Sequence, residues 1–367
     1  MKEFSTNPCP HFPACSGCTL AQDLLNPPIW REVLSFFKGR VEPRLITDGF
    51  LSTRYKAKLA VRPGPEIGLF RKHSHEVVSI PHCKVHHPSI NQGAALVKKE
   101  IEASGIPLYR ETPPSGLLRY IQLFACRETG KIQLVLVLNA ASRTPEIDAF
   151  CRSLLKHDLW HSLWLNFHPA ESNRVLGGAW LQIAGEPFLH QTLNGIPVAF
   201  HPGAFSQSHL PLFERMLRTI DSWTAPEKKI LELYAGVGAI GLALARKAPR
   251  IDLVENNPFA RLSFEQSRAP SHLHYHCLDA AQALGFIEED QLIIADPPRK
   301  GLDAPLLDRL CSLKRSRLIY VSCGFESFQK DAEKLLSAGW TFTRAEGYLL
   351  FPGTNHVEIL AQLTLDR

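Results

Sequence analysis

Hydrophobic and polar positions change rhythm along this chain. In the first 92 residues the apolar runs are short, and Leu59 to Val61, Ile67 to Phe70 and Val77 to Ile80 predict three brief strands. Ile90 to Ser104 fits a helix. Two β-rich runs follow, Tyr120 to Cys126 and Ile132 to Leu138, separated by Arg127-Glu-Thr-Gly130 in the pattern of a hairpin. Glu146 to His157 reads as helix, Ser162 to Phe167 as strand, and Trp180 to Ile183 and Pro197 to Phe200 as shorter strands. This half predicts a mixed α+β arrangement.

After Pro202 the pattern becomes a regular alternation. A helix from Ser208 to Trp223 leads into apolar strands at Ile230 to Tyr234, Ile251 to Val254, Leu273 to Cys277, Leu292 to Ala295 and Leu318 to Ser322. Helical patterns such as Ala239 to Lys247 and Phe325 to Ser337 lie between them. Strands alternating with helices build an open parallel sheet covered on both faces, so this part predicts a Rossmann-like α/β domain. The last two strands, Thr341 to Ala345 and Val357 to Leu365, leave no room for a helix between them and predict an antiparallel end.

Length supports more than one domain: 367 residues at ~100–200 per domain give two or three. The divisions predicted are 1–92, a Cys-cluster and basic region; 93–202, a central α+β domain packed with the first; and 203–367, the Rossmann-like domain. No apolar run reaches the ~18 residues of a membrane helix, and the polar stretch Met1 to Phe12 lacks a signal-peptide core. A cytoplasmic protein without a membrane partner is expected. Charge is lopsided. Residues 1–200 carry 22 Lys+Arg against 16 Asp+Glu, whereas 201–367 carry 19 against 20, and nine basic residues face three acidic ones between Lys38 and Lys72. That distribution suits a polyanion such as RNA, or else a solvated surface.

The chemistry concentrates at strand ends. The first strand of the α/β half runs into Glu232-Leu-Tyr-Ala-Gly236-Val-Gly238-Ala-Ile-Gly241, whose glycines permit a tight turn and close backbone approach to a nucleotide. NAD enzymes and methyltransferases both use such a turn. Glu255 closes the second strand, where a carboxylate can accept hydrogen bonds from both ribose hydroxyls of an adenosine. Asp296-Pro-Pro-Arg-Lys-Gly301 and Tyr320-Val-Ser-Cys323-Gly follow the fourth and fifth strands, and hydride transfer has no evident need for either.

With Leu233-Tyr-Ala-Gly-Val-Gly238, Asp296-Pro-Pro-Arg-Lys-Gly301, Val321-Ser-Cys323 and Phe351-Pro-Gly-Thr-Asn-His-Val-Glu358 in this order, and Phe205-Ser-Gln207 before them, nearly the whole chain resembles the RNA 5-methyluridine methyltransferases. These enzymes use S-adenosylmethionine (SAM). The resemblance implies Cys323 as nucleophile and Glu358 as base, with Gln207, Tyr234, Gly236, Gly238, Glu255 and Asp296 around the donor and uracil, and Asp279 as an adenine contact. Carbon 5 of uracil is a poor nucleophile. Thiolate addition at carbon 6 makes an enolate that takes the methyl group, after which a base removes the carbon 5 proton and the cysteine leaves. Such a site should favour the thiolate, with Arg299 or an amide dipole as the expected cause. The target base must be single-stranded or flipped out.

Four of the nine cysteines group as metal ligands: Cys9, Cys15 and Cys18 in C-x5-C-x2-C spacing, and Cys83. Spacing leaves zinc and an iron–sulfur cluster both open; the family resemblance implies [4Fe-4S]. The neighbouring His11, His82, His86 and His87 offer nitrogen ligands or, more simply, surface or RNA-facing groups. Arg54-Tyr-Lys56-Ala-Lys58, Arg62 and Arg71-Lys72-His73 are expected at RNA phosphates, with Tyr55 stacking on a base.

A cluster without a leading β-barrel most resembles the members acting on 23S ribosomal RNA. Transfer RNA as substrate and a non-catalytic iron–sulfur RNA-binding protein are the alternatives. DNA is not an expected partner. Ala235, Ala239 and Gly324 depart from residues common in the family.

Overall fold

A computed structural model describes residues 6–169 and 174–367. The opening of the polar stretch Met1 to Phe12 lies outside the described residues. Two compact units result. One comprises the chain up to Leu24 with Gly49–Gln191, and the other Leu25–Asp48 with Thr192–Arg367. Their borders differ from the divisions read along the sequence, chiefly because 25–48 belongs with the α/β half.

The first unit is built on a seven-stranded sheet in the order Ala179–Gly185, Trp160–Phe167, Ile132–Leu138, Leu118–Ala125, Lys56–Arg62, Glu66–Phe70, Val77–Ser79. The hairpin across Arg127–Gly130 forms as the turn residues predict. Ile132–Leu138 and Trp160–Phe167 run parallel, so the chain crosses over between them through the helix Pro145–Leu154. Thr144 caps that helix by accepting from the Ile147 amide at 3.4 Å. The helix Pro88–Ser104 lies close on the sheet: a Cβ at Gly93 would come within 2.6 Å of Ile132 and 2.9 Å of Leu123.

The second unit carries an eight-stranded sheet, ordered Arg44–Ile46, Thr341–Tyr348, Glu358–Asp366, Arg315–Ser322, Leu292–Ala295, Ile230–Leu233, Ile251–Glu255, Leu273–Cys277. The last five in this order are mutually parallel, and Glu358–Asp366 pairs antiparallel with both its neighbours, as the missing helix requires. Strand order reverses at Ile230–Leu233, between its partners from 292 and 251. In open α/β sheets that switch point opens a crevice at the carboxyl ends.

Two elements of this unit escape the periodicity. The nine-residue helix Ile29–Phe37 buries Trp30, Val33, Phe36 and Phe37 in the core of the α/β sheet. Phe36 meets Phe325, Phe328 and Phe342 edge-on at 5.9–6.1 Å between centroids. Gly347 makes room for Trp30, since a Cβ there would sit 2.4 Å from the indole. The strand Arg44–Ile46 then adds a parallel edge to Thr341–Tyr348. Three residues are too few to show a period. Among the described residues no helix is long and apolar enough to cross a membrane.

Removing the Phe37 ring, fully buried against Phe342 at 5.0 Å, is expected to cost ~3–5 kcal/mol. Urea unfolding of Phe37→Ala checks this; a loss below about 1 kcal/mol would mean the helix is not part of the core.

Candidate active site

A cavity of about 650 Å³ opens at the switch point of the second unit. Much of its wall comes from loops that follow strands. Tyr234–Val237 follow the first parallel strand, Glu255 and Asn256 the second, Asp296–Lys300 the fourth and Cys323 the fifth. Glu358 enters from the start of the last strand, and Phe205–Gln207 from the loop before helix Leu210–Trp223. Eight of the nine residues expected around donor and uracil therefore meet in one cavity: Gln207, Tyr234, Gly236, Glu255, Asp279, Asp296, Cys323 and Glu358.

Gly238 is the exception. It does not line the cavity; at φ +77° it opens the helix Ala239–Ala243, and a Cβ there would press within 2.7 Å of Phe264 and 3.0 Å of Leu253. Its glycine serves packing of loop against sheet.

The turn is held by carboxylates. Glu255 accepts from the Gly236 amide at 3.1 Å and the Asn257 amide at 2.9 Å. Tyr234 sits at φ +58°, a conformation that costs ~1–3 kcal/mol for a side-chain-bearing residue and persists where its surroundings impose it. Its phenol donates to Asp303 at 3.0 Å, and Lys300 pairs with the same carboxylate. The Tyr275 phenol donates to the Gly236 carbonyl at 2.6 Å. Asp279 is engaged at the rim, where its oxygens accept from the Ala281 amide at 3.0 Å and the Asn256 side chain at 3.3 Å.

Sequence reasoning missed Glu232 and Asp303 as cavity residues. Glu232 is a carboxylate in the otherwise apolar strand Ile230–Leu233, which was a legible signal. It accepts from the Gly241 amide at 2.7 Å. Burial pushes it up to about 8, further raised by Asp296 and Glu255. Desolvation likewise lifts Asp296 to about 7 and Glu358 to about 8, and Arg299 opposes the second. Glu358 is 5% exposed, and its Oε2 has no hydrogen-bond partner among the described residues.

The expected thiolate is not what the free site favours. Burial pushes Cys323 up to about 11; Glu358 and Asp296 raise it further, and Arg299 is the weaker, opposing influence. At neutral pH the residue is a thiol. A positive charge brought among these acids lowers all of their pKa values together. Gly324 lies so close to the Arg299 loop that a Cβ would fall 2.9 Å from the Arg299 carbonyl. Ser327 Oγ donates to that carbonyl at 2.8 Å.

In the first unit, Cys9, Cys15, Cys18 and Cys83 line one small cavity. Among the described residues no group of three or more His, Cys, Asp or Glu side chains is arranged to hold a metal ion. The thiols nevertheless sense one another: burial pushes Cys18 up to about 12, with Cys83, Cys9 and Cys15 adding to it. The Gly17 amide donates to Cys15 Sγ at 3.3 Å, and the amides of His86 and Val85 donate to Cys83.

Several residues expected at RNA are buried instead. Tyr55 stacks on His87 at 4.6 Å, and His87 caps helix Pro88–Ser104. His86 is buried, and desolvation lowers it to about 4, so it is a neutral ring bound to Asn91 at 3.1 Å. Arg62 is spent on the Arg119 carbonyl, 3.0 Å away, and on Glu111 at 2.5 Å. Lys56 is buried and Arg54 lines the thiol cavity. Lys58, Lys72 and His73 remain exposed.

Sheet order and cavity position define the class: this is a SAM-methyltransferase fold carrying an additional α+β unit. A Pyrococcus abyssi tRNA (uracil-54, C5)-methyltransferase, solved with S-adenosyl-L-homocysteine, shares the fold at TM-score 0.78 and 23% identity, covering 96% of this chain and 86% of that one. No family model matches. An uncharacterized RNA methyltransferase of Protochlamydia amoebophila is 39% identical over 368 residues, 96% of each chain. One of Geobacter sulfurreducens is 28% identical, covering 97% of this chain and 76% of its own. The chain belongs to the RNA methyltransferase family.

Two outcomes follow from the acidic cavity. Glu232 keeps its proton to higher pH when folded than when unfolded, so its contribution to stability is present at pH 4.5 and lost as pH rises toward 8. Glu232→Gln, which retains an acceptor for Gly241, should raise the melting temperature of the free protein at pH 8 and leave it unchanged near pH 4.5; equal shifts at both would contradict this. Alkylation of Cys323 in the free protein, followed by peptide mass spectrometry, should rise with a midpoint near 11 rather than the ~8.5 of an ordinary thiol.

Proposed function

We propose that this protein transfers a methyl group from SAM to carbon 5 of a uridine in RNA, through a covalent bond between Cys323 and carbon 6. The observation that carries the reading is Cys323 and Glu358 on the wall of the same cavity as the Gly236 turn and Glu255. A nucleophile, a base and a nucleotide-binding turn in one space are what the reaction requires. The donor would lie along Tyr234, Gly236, Glu255 and Asp279, with its sulfonium among Glu232, Asp296 and Glu358. That charge suits an acidic cavity and lowers the Cys323 pKa, so the thiol is activated where the donor is bound.

Cys323 gives its proton to a neighbouring carboxylate and Sγ bonds carbon 6, placing an enolate over carbons 5 and 4. Carbon 5 takes the methyl group and S-adenosylhomocysteine is released. Glu358 removes the carbon 5 proton, the 5,6 double bond re-forms and the Sγ–carbon 6 bond breaks. A carboxyl held near 8 is matched to accepting and giving protons at neutral pH. Gln207, 8% exposed beside this cavity, would orient the uracil amide. The P. abyssi neighbour's chemistry on uracil supports the choice of base.

The RNA is read as 23S ribosomal RNA in the cytoplasm, on the resemblance of the cysteine cluster. Transfer RNA is the second reading, favoured by that same neighbour. Cys9, Cys15, Cys18 and Cys83 would hold a [4Fe-4S] cluster, a reading supported by four thiols on the wall of one cavity and amide N–H donors to Cys15 and Cys83. Held there, a cluster would tie the segment of Cys9, Cys15 and Cys18 to the loop at Cys83, and the methyl-transfer steps do not pass through it.

Anaerobically purified protein, given labelled SAM with unmodified ribosomal or transfer RNA, should yield label in 5-methyluridine from ribosomal RNA. Cys323→Ala should abolish turnover. Glu358→Gln should slow release by ~10²-fold or more and accumulate a denaturation-resistant protein–RNA adduct. Label in transfer RNA would correct the substrate; label in 5-methylcytidine or methyladenosine would overturn the mechanism. RNA binding without label would favour the binding-protein alternative.

A further inference from the structure

We propose that Asp331 is a positioning residue of this site: its buried carboxylate ties the loop that carries Arg299 to the strand that ends at Cys323, and so holds a cation beside the nucleophile. Its effect on turnover rests on the methyl transfer proposed above; the tie itself does not.

Asp331 lies in the second turn of the helix Phe325–Ser337 and is 7% exposed. One of its oxygens takes donors from two different walls of the cavity. The Tyr320 phenol donates to Asp331 Oδ2 at 2.6 Å, and the Leu302 amide donates to the same oxygen at 2.8 Å. A carboxylate oxygen has the lone pairs to accept both. Tyr320 stands three residues before Cys323, and Leu302 three residues after Arg299. Ser327, four positions earlier on the same helix face, donates to the Arg299 carbonyl at 2.8 Å. The loop passes close: Gly301 takes φ +85°, and a Cβ there would fall 2.6 Å from Asp331 Oδ2. The Tyr320 ring is fully buried and meets Phe328 edge-on at 5.3 Å. Burial holds its phenol protonated, and the bond to Asp331 adds to this, so it stays a donor at neutral pH.

Arg299 is exposed on the cavity wall, so the course of its backbone decides where its charge stands. Cys323 faces Glu358 and Asp296, which disfavour its thiolate, and Arg299, which favours it. The same cation opposes the raised pKa of Glu358 and is felt by His356. Loosening the loop would take that charge away from an acidic cavity and make the thiolate harder to form.

Site-resolved alkylation of the free protein near pH 8, read by peptide mass spectrometry, tests this, with the exposed Cys277 as internal reference. Below its midpoint a thiol reacts in proportion to its thiolate, about tenfold more slowly for each unit its pKa rises. Arg299→Met sets the scale and should slow Cys323 several-fold. Asp331→Ala should slow it by about threefold or more, with Cys277 at its wild-type rate. In the Arg299→Met background Asp331→Ala should add nothing, because the residue acts through that cation. Mere loss of support predicts the opposite sign: a loosened loop exposes the thiol, and removing a negative charge favours the thiolate, so alkylation would speed up. Unchanged or faster Cys323 alkylation in Asp331→Ala overturns the proposal. So does equal slowing with and without Arg299, or an Arg299→Met variant that reacts like wild type. If Asp331→Ala does not fold, Tyr320→Phe, which removes one donor and no charge, takes its place in the same comparison. Under the proposed function, kcat should fall in step with the alkylation rate. Wild-type protein that transfers no methyl group removes that function and leaves the alkylation result to decide on Asp331.

Discussion

Several carboxylates turned into one cavity are the constraint on which the α/β unit depends. Glu232 and Glu255 do structural work through the amides of Gly241 and Gly236, so the nucleotide-type turn is tied to its neighbours by acceptors that also face the cavity. The same groups, with Asp296 and Glu358, set the potential there. Desolvation and mutual repulsion hold Glu232, Asp296 and Glu358 above the ordinary carboxylate range and make the Cys323 thiol hard to ionise. A site of this kind is incomplete without a cation. On the proposed function, a sulfonium donor would offset that charge and, by entering, lower the Cys323 pKa.

Geometry around that charge is fixed by strain and packing together. Tyr234 is held in a left-handed conformation, where its phenol reaches Asp303. The Cys323 loop is joined to the Arg299 loop through Ser327 and through a contact at Gly324 that leaves little space for a side chain. Behind the sheet, the aromatic face of Ile29–Phe37 fills the core against Phe325, Phe328 and Phe342. Rigid support of this sort is what a reaction needing a nucleophile, a base and a donor in one arrangement requires.

In the α+β unit the decisive quantity is again buried charge, of opposite sign in its parts. The thiol cavity has Arg54 on its wall. Arg62 is covered by Phe70, Tyr109 and Tyr120 at 5.3–5.4 Å from each ring and anchored to Glu111. Cations that look like a nucleic-acid footprint along the chain are here internal fastenings. Lys58, Arg71, Lys72 and His73 are among the basic residues left at the surface.

The sequence by itself determined most of the α/β half. Most of the parallel strands are short apolar runs followed by a residue expected at the site, and such local patterns survive folding: Phe325–Ser337 is the helix expected, and the antiparallel end follows from the missing crossover. The cavity's contents were legible for a related reason, since open parallel sheets bring carboxyl ends to one side whatever their order. Only the tertiary structure decided matters that depend on distant neighbours. Gly238 packs against Phe264, Ile29–Phe37 lies in the core of a sheet whose five-stranded parallel part begins at Ile230, Cys323 is a thiol among acids, and Arg54 lines the thiol cavity. Burial and the sign of nearby charge are properties of the fold, and neither period nor composition carries them.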